Sequence, residues 1–378
     1  MKKFVLGAAA VVAVLGLASC GGKEAQGDSK DLYALSYNLG DPNMSTLWGP
    51  GLEAASVELG FNKISLQDAK NDEAKAQEAL DAATLKNNAA YLINVVDQKN
   101  GKTYAKKVKD TGKPLIFWNR EVDKDAMDSY DKAYYVGIES AEGGRYQGKM
   151  AAEYVNKVGF DKLDRNGDGK LGVIVVRGEA GHPDADARTL FSPEYLEKNL
   201  TGGNKDAKGS VSGNEYDDKT FNKVDVLTIV DGKATDGTTW DPATATSEVE
   251  RVLSTHGDKV DLVLSNNDGM ALGIIKSSEF KKSGCPIWGV DALADALTEI
   301  GREGTQFMGT VQNDGKAQAK VVVQVAKNLI EGKDINEGLT VVNTKADWEA
   351  NGSAVWYDAP AKAFRVHHAL ITAESLKK

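Results

Sequence analysis

Carboxylate, amide, imidazole and guanidinium side chains recur in this chain directly after short apolar runs. Asp41 follows Leu32-Tyr33-Ala34-Leu35-Ser36, Asn119 follows Phe117-Trp118, and His182, Asp184 and Arg188 follow Val175-Val176. Asn267 and Asp268 come after Leu264, and Asp291 after Val290. Asp accepts hydrogen bonds only, Arg donates only and Asn does both, so the mixture suits a ligand that offers donors and acceptors together. Any one of these residues alone is an ordinary turn or N-cap choice. Their agreement at five junctions singles out the set. Asp184 and Asp291 are also of the type that serves as acid and nucleophile in glycoside cleavage. Against that use, Arg188, four residues after Asp184, would keep its carboxylate ionised rather than raise its pKa towards an acid's. A second pattern is Asp164-Arg165-Asn166-Gly167-Asp168-Gly169-Lys170. Its spacing is that of an EF-hand calcium loop: side-chain oxygens of Asp164, Asn166 and Asp168, the backbone carbonyl of Lys170, and Gly169 for the turn. A solvated Asp/Gly turn has the same composition.

These residues depend on the elements that carry them. Buried strands are expected at 32–36, 91–96, 114–118, 134–136, 171–176, 260–264 and 286–290, with helix-period stretches at 73–85, 143–158, 247–254 and 316–329 between them. Continuously apolar strands alternating with helices predict α/β architecture with parallel sheets covered on both faces. At 378 residues the chain has room for two such sheets. Ligands of such sheets sit beyond the carboxyl ends of the strands. The stretch 201–223, rich in Gly, Asn, Ser and Lys, reads as a long solvated loop without identifiable chemistry.

Composition narrows the function classes. Hydrophobic residues are 41% and charged residues 27%, an ordinary folded balance. Forty-six basic residues face 55 acidic ones with no basic block interleaved with aromatics, which argues against nucleic acid. Cys20 and Cys285 are the only cysteines, and the four histidines form no HExxH, so neither a disulfide framework nor a zinc signature is present. Cys285 reads as a small structural thiol.

The N-terminus reads as an address. Met1-Lys2-Lys3 precedes an uncharged run from Phe4 to Ala18, too short to span a bilayer comfortably, and Leu17-Ala18-Ser19-Cys20 resembles the bacterial lipobox. Residues 1–19 are then a signal peptide, Cys20 the lipidated first mature residue, and 20–31 a flexible tether. Without Lys2 and Lys3, 44 basic residues face 55 acidic ones, a net charge near −11.

Six motifs, in order, resemble one family. They are 117–121 (FWNRE), 128–137 (DSYDKAYYVG), 178–188 (GEAGHPDADAR), 266–271 (NNDGMA), 289–293 (GVDAL) and 309–313 (GTVQN). Together they are similar to the bacterial periplasmic D-galactose/D-glucose-binding proteins of ABC sugar import, from about residue 32 to the C-terminus. The resemblance implies a type I periplasmic binding protein: two doubly wound parallel-sheet lobes joined by a three-strand hinge, 32–138 plus 313–345 in the first and 139–312 plus 346–378 in the second. It places sugar ligands at Asp41, Asn119, His182, Asp184, Arg188, Asn267, Asp291 and Asn313, with Trp240 as one of two stacking aromatics. Asn43 stands where the family has the other, phenylalanine; Met44 and Trp48 are the nearby substitutes. The resemblance also implies a structural Ca²⁺ on Asp164, Asn166, Asp168 and Lys170, closed by a side chain at position 9 and a distant glutamate. Here those positions are Gly172 and Asp261. The implied partners are glucose or galactose, an ABC permease and, in some members, a chemoreceptor, with the protein acting as a monomer. A glycoside-cleaving enzyme and a sensor for another monosaccharide are the alternatives.

Overall fold

The computed structural model describes residues 29–203, 216, 219 and 221–377; the signal segment, Cys20 and nearly all of the tether lie outside them. Among the described residues fourteen strands form two sheets. Strands β1 (Leu32–Ser36), β2 (Leu66–Asp68), β3 (Ala90–Ile93), β4 (Leu115–Trp118) and β5 (Ala133–Gly137) open the chain. They are followed by β6 (Leu171–Arg177), β7 (Val224–Asp231), β8 (Leu262–Ser265), β9 (Ile287–Val290) and β10 (Phe307–Gln312). The last four are β11 (Val341–Val342), β12 (Val355–Asp358), β13 (Ala363–Arg365) and β14 (Ala369–Thr372). The first sheet has the order β11-β12-β13-β5-β4-β3-β1-β2 and the second β14-β10-β9-β8-β6-β7. Only the β12–β13 and β10–β14 pairs are antiparallel.

Both faces of each sheet are buried, which is why the strands read as unbroken apolar runs. In β3, Leu92 packs into one core while Tyr91 and Ile93 pack into the other. In β6, Val173 and Val175 face one side of the second sheet and Ile174 and Val176 the opposite side. At about 1.5–3 kcal/mol per fully buried aliphatic side chain, these four layers are the main favourable term.

The chain crosses between lobes three times. The first crossing leads from β5 into the helix Ser140–Val158, whose Met150, Ala151, Ala152 and Val155 pack in the second lobe. The second leads from β10 into the helix Gly315–Glu331, whose Ala319 and Val321–Val323 pack in the first. The third lies at residues 366–368, between β13 and β14. This corrects the expected boundary at 346: β12 and β13 belong to the first sheet, because Ala363, Phe364 and Arg365 pair with Tyr135, Val136 and Gly137 of β5. The sequence runs 355–358 and 363–365 are too short and too mixed to show a strand by periodicity, so only sheet pairing reveals them.

The loop expected over 201–223 also departs from the solvated reading where it is described. Tyr216 and Phe221 are buried with the second-lobe core, their rings in edge contact at 5.7 Å, and the Tyr216 hydroxyl donates to Thr189 O at 2.6 Å. Cys285 is buried as expected, its thiol donating to Val260 O at 3.1 Å, and burial pushes its pKa up.

In the second lobe the helix Ser140–Val158 lies against the helix Pro183–Asn199, which begins at the His182 N-cap. Gly144 and Gly148 permit this approach: a Cβ on Gly148 would stand 2.1 Å from Ser192 O, and one on Gly144 would stand 3.0 Å from the Arg188 Cα. Gln147, buried between them, accepts from Ser192 Oγ at 2.7 Å and donates to Ser265 O at 2.7 Å, tying the helix pair to the end of β8.

Candidate functional site

Strand ends from both lobes converge on one cleft, with about 330 Å³ of non-atom space, part of it open to solvent. Its walls are Tyr37, Asp41, Asn43, Met44, Asn119, His182, Asp184, Arg188, Trp240, Asn267, Asp291 and Asn313. All nine residues singled out from the sequence are among them. Asp268, which shares its junction with Asn267, is not. It is buried behind the wall, accepting from Thr310 Oγ1 at 2.7 Å and Leu293 N at 2.9 Å, and burial pushes its carboxyl up to about 7. It holds the turn that carries Asp291.

Local structure aims each side chain. Asn119 has φ +60° and Asp291 φ +120°, left-handed backbone that turns each sharply off its strand end. Asn119 Oδ1 accepts from Asn94 Nδ2 at 3.1 Å, and Asn313 Oδ1 accepts from Gln318 Nε2 at 2.7 Å. Asn267 caps the helix Asp268–Ile274 by accepting from Met270 N at 2.9 Å. Being a cap and lining the cleft are thus compatible, because the cap uses the amide oxygen and leaves Nδ2 to donate. His182 works similarly. Its Nδ1 accepts from Asp184 N at 3.1 Å, so the proton of the neutral ring sits on Nε2. Burial first, and the Arg120 guanidinium second, push its pKa down to about 4, so it donates as neutral imidazole at pH 7.

The carboxylates are held against burial. Asp41 accepts from the Tyr37 hydroxyl and, at 2.8 Å, from Asn43 N. Burial pushes its pKa up, and these bonds oppose the rise. Burial pushes Asp291 well above the ordinary range; Arg188 opposes this, and the charges of Asp268 and Asp41 add to it. Asp291 Oδ1 takes Asn43 Nδ2 from the opposite lobe at 3.2 Å and Asn313 Nδ2 at 3.4 Å. Asp184 Oδ1 accepts from Ser140 Oγ at 2.6 Å, whereas Arg188 sends Nη1 to Asn266 O at 3.0 Å rather than to Asp184. Ser140 therefore partners Asp184, a role sequence spacing assigned to Arg188.

Trp240 also has a positive φ, +60°, and its indole lies on Gly178 so closely that a Cβ there would stand 2.0 Å from the ring. Its Nε1 donates to Glu179 Oε2 at 3.3 Å, and its ring meets His182 edge-on at 5.5 Å. Glu179 in turn accepts from Arg120 Nη2 of the first lobe at 2.8 Å. The Arg120 guanidinium covers the Tyr37 ring at 3.7 Å. At the position of the missing aromatic stands Asn43, which lines the cleft beside Met44 and Tyr37. Trp48 is fully buried against Trp118 at 4.7 Å, away from the cleft, while Met44 lines it. Sequence reasoning missed Tyr37 and Arg120 as parts of the site, although Arg120 follows Asn119 directly.

The calcium-like turn lies in the second lobe, apart from the cleft. Asp164 Oδ1 accepts from Gly167 N at 2.8 Å and Oδ2 from Gly169 N at 2.7 Å, while Asp168 Oδ1 accepts from Lys170 N at 3.0 Å. Asn166 Nδ2 donates to Asp168 Oδ2 at 3.0 Å. Asp261 reaches the turn, accepting from Arg165 N at 3.0 Å and Gly172 N at 2.7 Å. Gly172 offers no ligand and has room for none: a Cβ there would stand 1.7 Å from Lys259 O. Among the described residues no group of three or more His, Cys, Asp or Glu is placed to hold a metal. The remaining set consists of hard oxygen donors. Burial, and to a lesser extent the Asp164 charge, pushes Asp261 up to about 7.

Residues 33–334 match the family described as "Periplasmic binding protein domain", and the chain belongs to it. Its two lobes and crossings are those of a type I periplasmic binding protein. Among curated relatives, the D-galactose/methyl-galactoside binding periplasmic protein MglB of Haemophilus influenzae is 33% identical over 299 residues, 79% of this chain and 81% of its own. Among solved structures, an ABC transporter periplasmic solute binding protein from Actinobacillus succinogenes with bound D-allose superposes with a TM-score of 0.69 at 14% identity, covering 92% of this chain and 99% of that one. One from Bacillus halodurans with bound myo-inositol gives 0.67 at 21%, covering 93% and 97%. No helix among the described residues is long and apolar enough to cross a membrane.

Proposed function

We propose that this protein is a lipid-anchored receptor that captures D-glucose or D-galactose between its lobes and passes it to an ABC importer. The observation that carries the reading is the convergence of Asp41, Asn119, His182, Asp184, Arg188, Trp240, Asn267, Asp291 and Asn313 on one interlobe cleft. A pyranose is a ring of hydroxyls, each one donor and two acceptors, with apolar C–H faces. Carboxylates and arginine supply charged partners at about 1.5–3 kcal/mol each, against roughly 1 for neutral pairs. Desolvation, ordering and closure offset most of that, so a micromolar constant or better, about −8 kcal/mol, is expected. Trp240 covers a C–H face with its ring. Met44 supplies an adaptable, polarizable surface beside Asn43, which stands where the family has its second aromatic. Cys20 carries the lipid on this reading, and a chemoreceptor would use the same closed state.

Calorimetric titration with a panel of monosaccharides is the direct test. Asp184→Ala and Asn267→Ala should each weaken binding at least about tenfold while barely moving the melting temperature of the ligand-free protein; unchanged affinity in both would sink the assignment. Release of product from a chromogenic galactoside or glucoside would favour a glycosidase instead. For the turn, we propose a weak Ca²⁺ site on Asp164, Asn166, Asp168, the Lys170 carbonyl and Asp261. Calcium added after EDTA should raise the melting temperature, and Asp164→Ala should abolish the rise.

A further inference from the structure

The third crossing carries His367 and His368, which the sugar site does not use. His368 is buried, and both its backbone N–H and its Nδ1 lie 2.9 Å from Glu142 Oε2. The other oxygen, Oε1, is 2.9 Å from His367 Nδ1. Burial alone would raise the Glu142 pKa, but its bonds to His368 and His367 bring it below the ordinary range, so it is a carboxylate and only accepts. The proton of a neutral His368 therefore sits on Nδ1, and Nε2 presents a lone pair.

That Nε2 is buried with no partner, and so is Arg188 Nε, whose N–H can only donate. The two nitrogens face one spot. A Cβ built on Gly143 would stand 3.2 Å from His368 Nε2 and 3.5 Å from Arg188 Nε. A dry acceptor and a dry donor on either side of one glycine leave two desolvation costs that a single hydrogen bond would remove. One belongs to a sugar-site residue and the other to a crossing that joins β13 of the first lobe to β14 of the second. Backbone rotation on lobe opening and closing falls on such crossings.

We propose that His368 is a positioning residue for sugar binding: as the lobes close, its Nε2 accepts the Arg188 Nε–H and fixes the guanidinium against the ligand. The pair couples hinge geometry to the pose of an arginine that lines the cleft. This rests on the sugar-receptor reading, and the experiment separates the two. With D-glucose and D-galactose as probes, calorimetry on the wild type, His368→Leu, His368→Gln, Arg188→Lys and the double variant His368→Leu/Arg188→Lys gives the constants, and thermal unfolding without sugar gives stability. His368→Leu removes the acceptor and should weaken binding about tenfold. His368→Gln restores an acceptor of similar reach and should stay within about threefold of wild type, which a purely structural role would not produce. Arg188→Lys has no Nε–H, so adding His368→Leu to it should cost little more. If His368→Leu fails to fold, Gly143→Ala, which puts a methyl between the two nitrogens, carries the test with the same tenfold expectation. Wild-type affinity in His368→Leu, or full additivity with Arg188→Lys, overturns this proposal alone. A wild-type chain that binds neither sugar overturns the receptor reading with it.

Discussion

Asp291 shows how a buried carboxyl in the cleft wall costs the protein stability. Its carboxyl is buried and held well above the ordinary carboxylate range. A carboxyl raised in the folded state contributes stability that is complete below the unfolded value, near 4, and is lost as pH rises through the folded value. Asp291→Asn removes that loss yet keeps an oxygen for Asn43 and Asn313. The variant should lose most sugar affinity while melting higher than wild type without sugar, and the gap should widen between about pH 5 and 8; a constant or reversed gap in a pH series of melting curves would contradict this. Trp240 depends on Gly178 in the same residue-by-residue way. Gly178→Ala places a methyl in the indole's space, so it should weaken sugar binding by about tenfold or more and dull the fluorescence response to ligand. The strand-end polar residues of the cleft were legible because each follows an apolar run. Their partners were not: Ser140 for Asp184 and Asn43 for Asp291 are 44 and 248 residues away in sequence, and no local pattern encodes such pairings.

Elements position these residues by close packing. The helices Ser140–Val158 and Pro183–Asn199 touch backbone to backbone at Gly148, where a Cβ would lie 2.1 Å from Ser192 O. Because backbone has nowhere to retreat, Gly148→Ala should destabilise the fold by about 1–3 kcal/mol and also weaken sugar binding, since Arg188 rides on the displaced helix. Chemical denaturation and titration of one preparation would check both. The seven strands expected from apolar runs all form. Among those not foreseen, β7 alternates buried and half-buried residues at a sheet edge and β10 is interrupted by Gly309. β12 and β13 are short segments that become strands only by pairing on β5 and on each other. The helix expected at 73–85 forms as Glu73–Thr84 behind its Asp72 cap, which accepts from Lys75 N at 3.1 Å, whereas 247–254 is only the inner part of Pro242–His256, capped by Asp241.

For the whole molecule, polar contacts bridge the two lobes across the cleft. Arg120 of the first lobe reaches Glu179 of the second at 2.8 Å, and Glu179 holds the Trp240 indole. A ligand that touches both lobes favours the closed arrangement by its differential affinity. Sugar at about a hundred times its dissociation constant should therefore stabilise the protein by roughly 2.7 kcal/mol and shrink its radius of gyration in solution scattering. Stabilisation without contraction would mean that the ligand binds an already closed form and that the lobes do not move on binding.

Continuous apolar strands were enough to determine α/β lobes and to single out seven of the nine cleft residues, because hydrophobic period and strand-end chemistry are local properties of the chain; Trp240 and Asn313 came only from the resemblance of ordered motifs to a family. Tertiary structure alone decided where the third crossing falls, that Trp48 packs inward while Met44 faces the cleft, and that Asp268 stands behind the site rather than in it. It also decided that His368 Nε2 and Arg188 Nε both lie within 3.5 Å of where a Cβ on Gly143 would stand. Each of these is a contact between segments far apart in the chain, and such contacts are selected by how whole layers fit together rather than by the residues on either side.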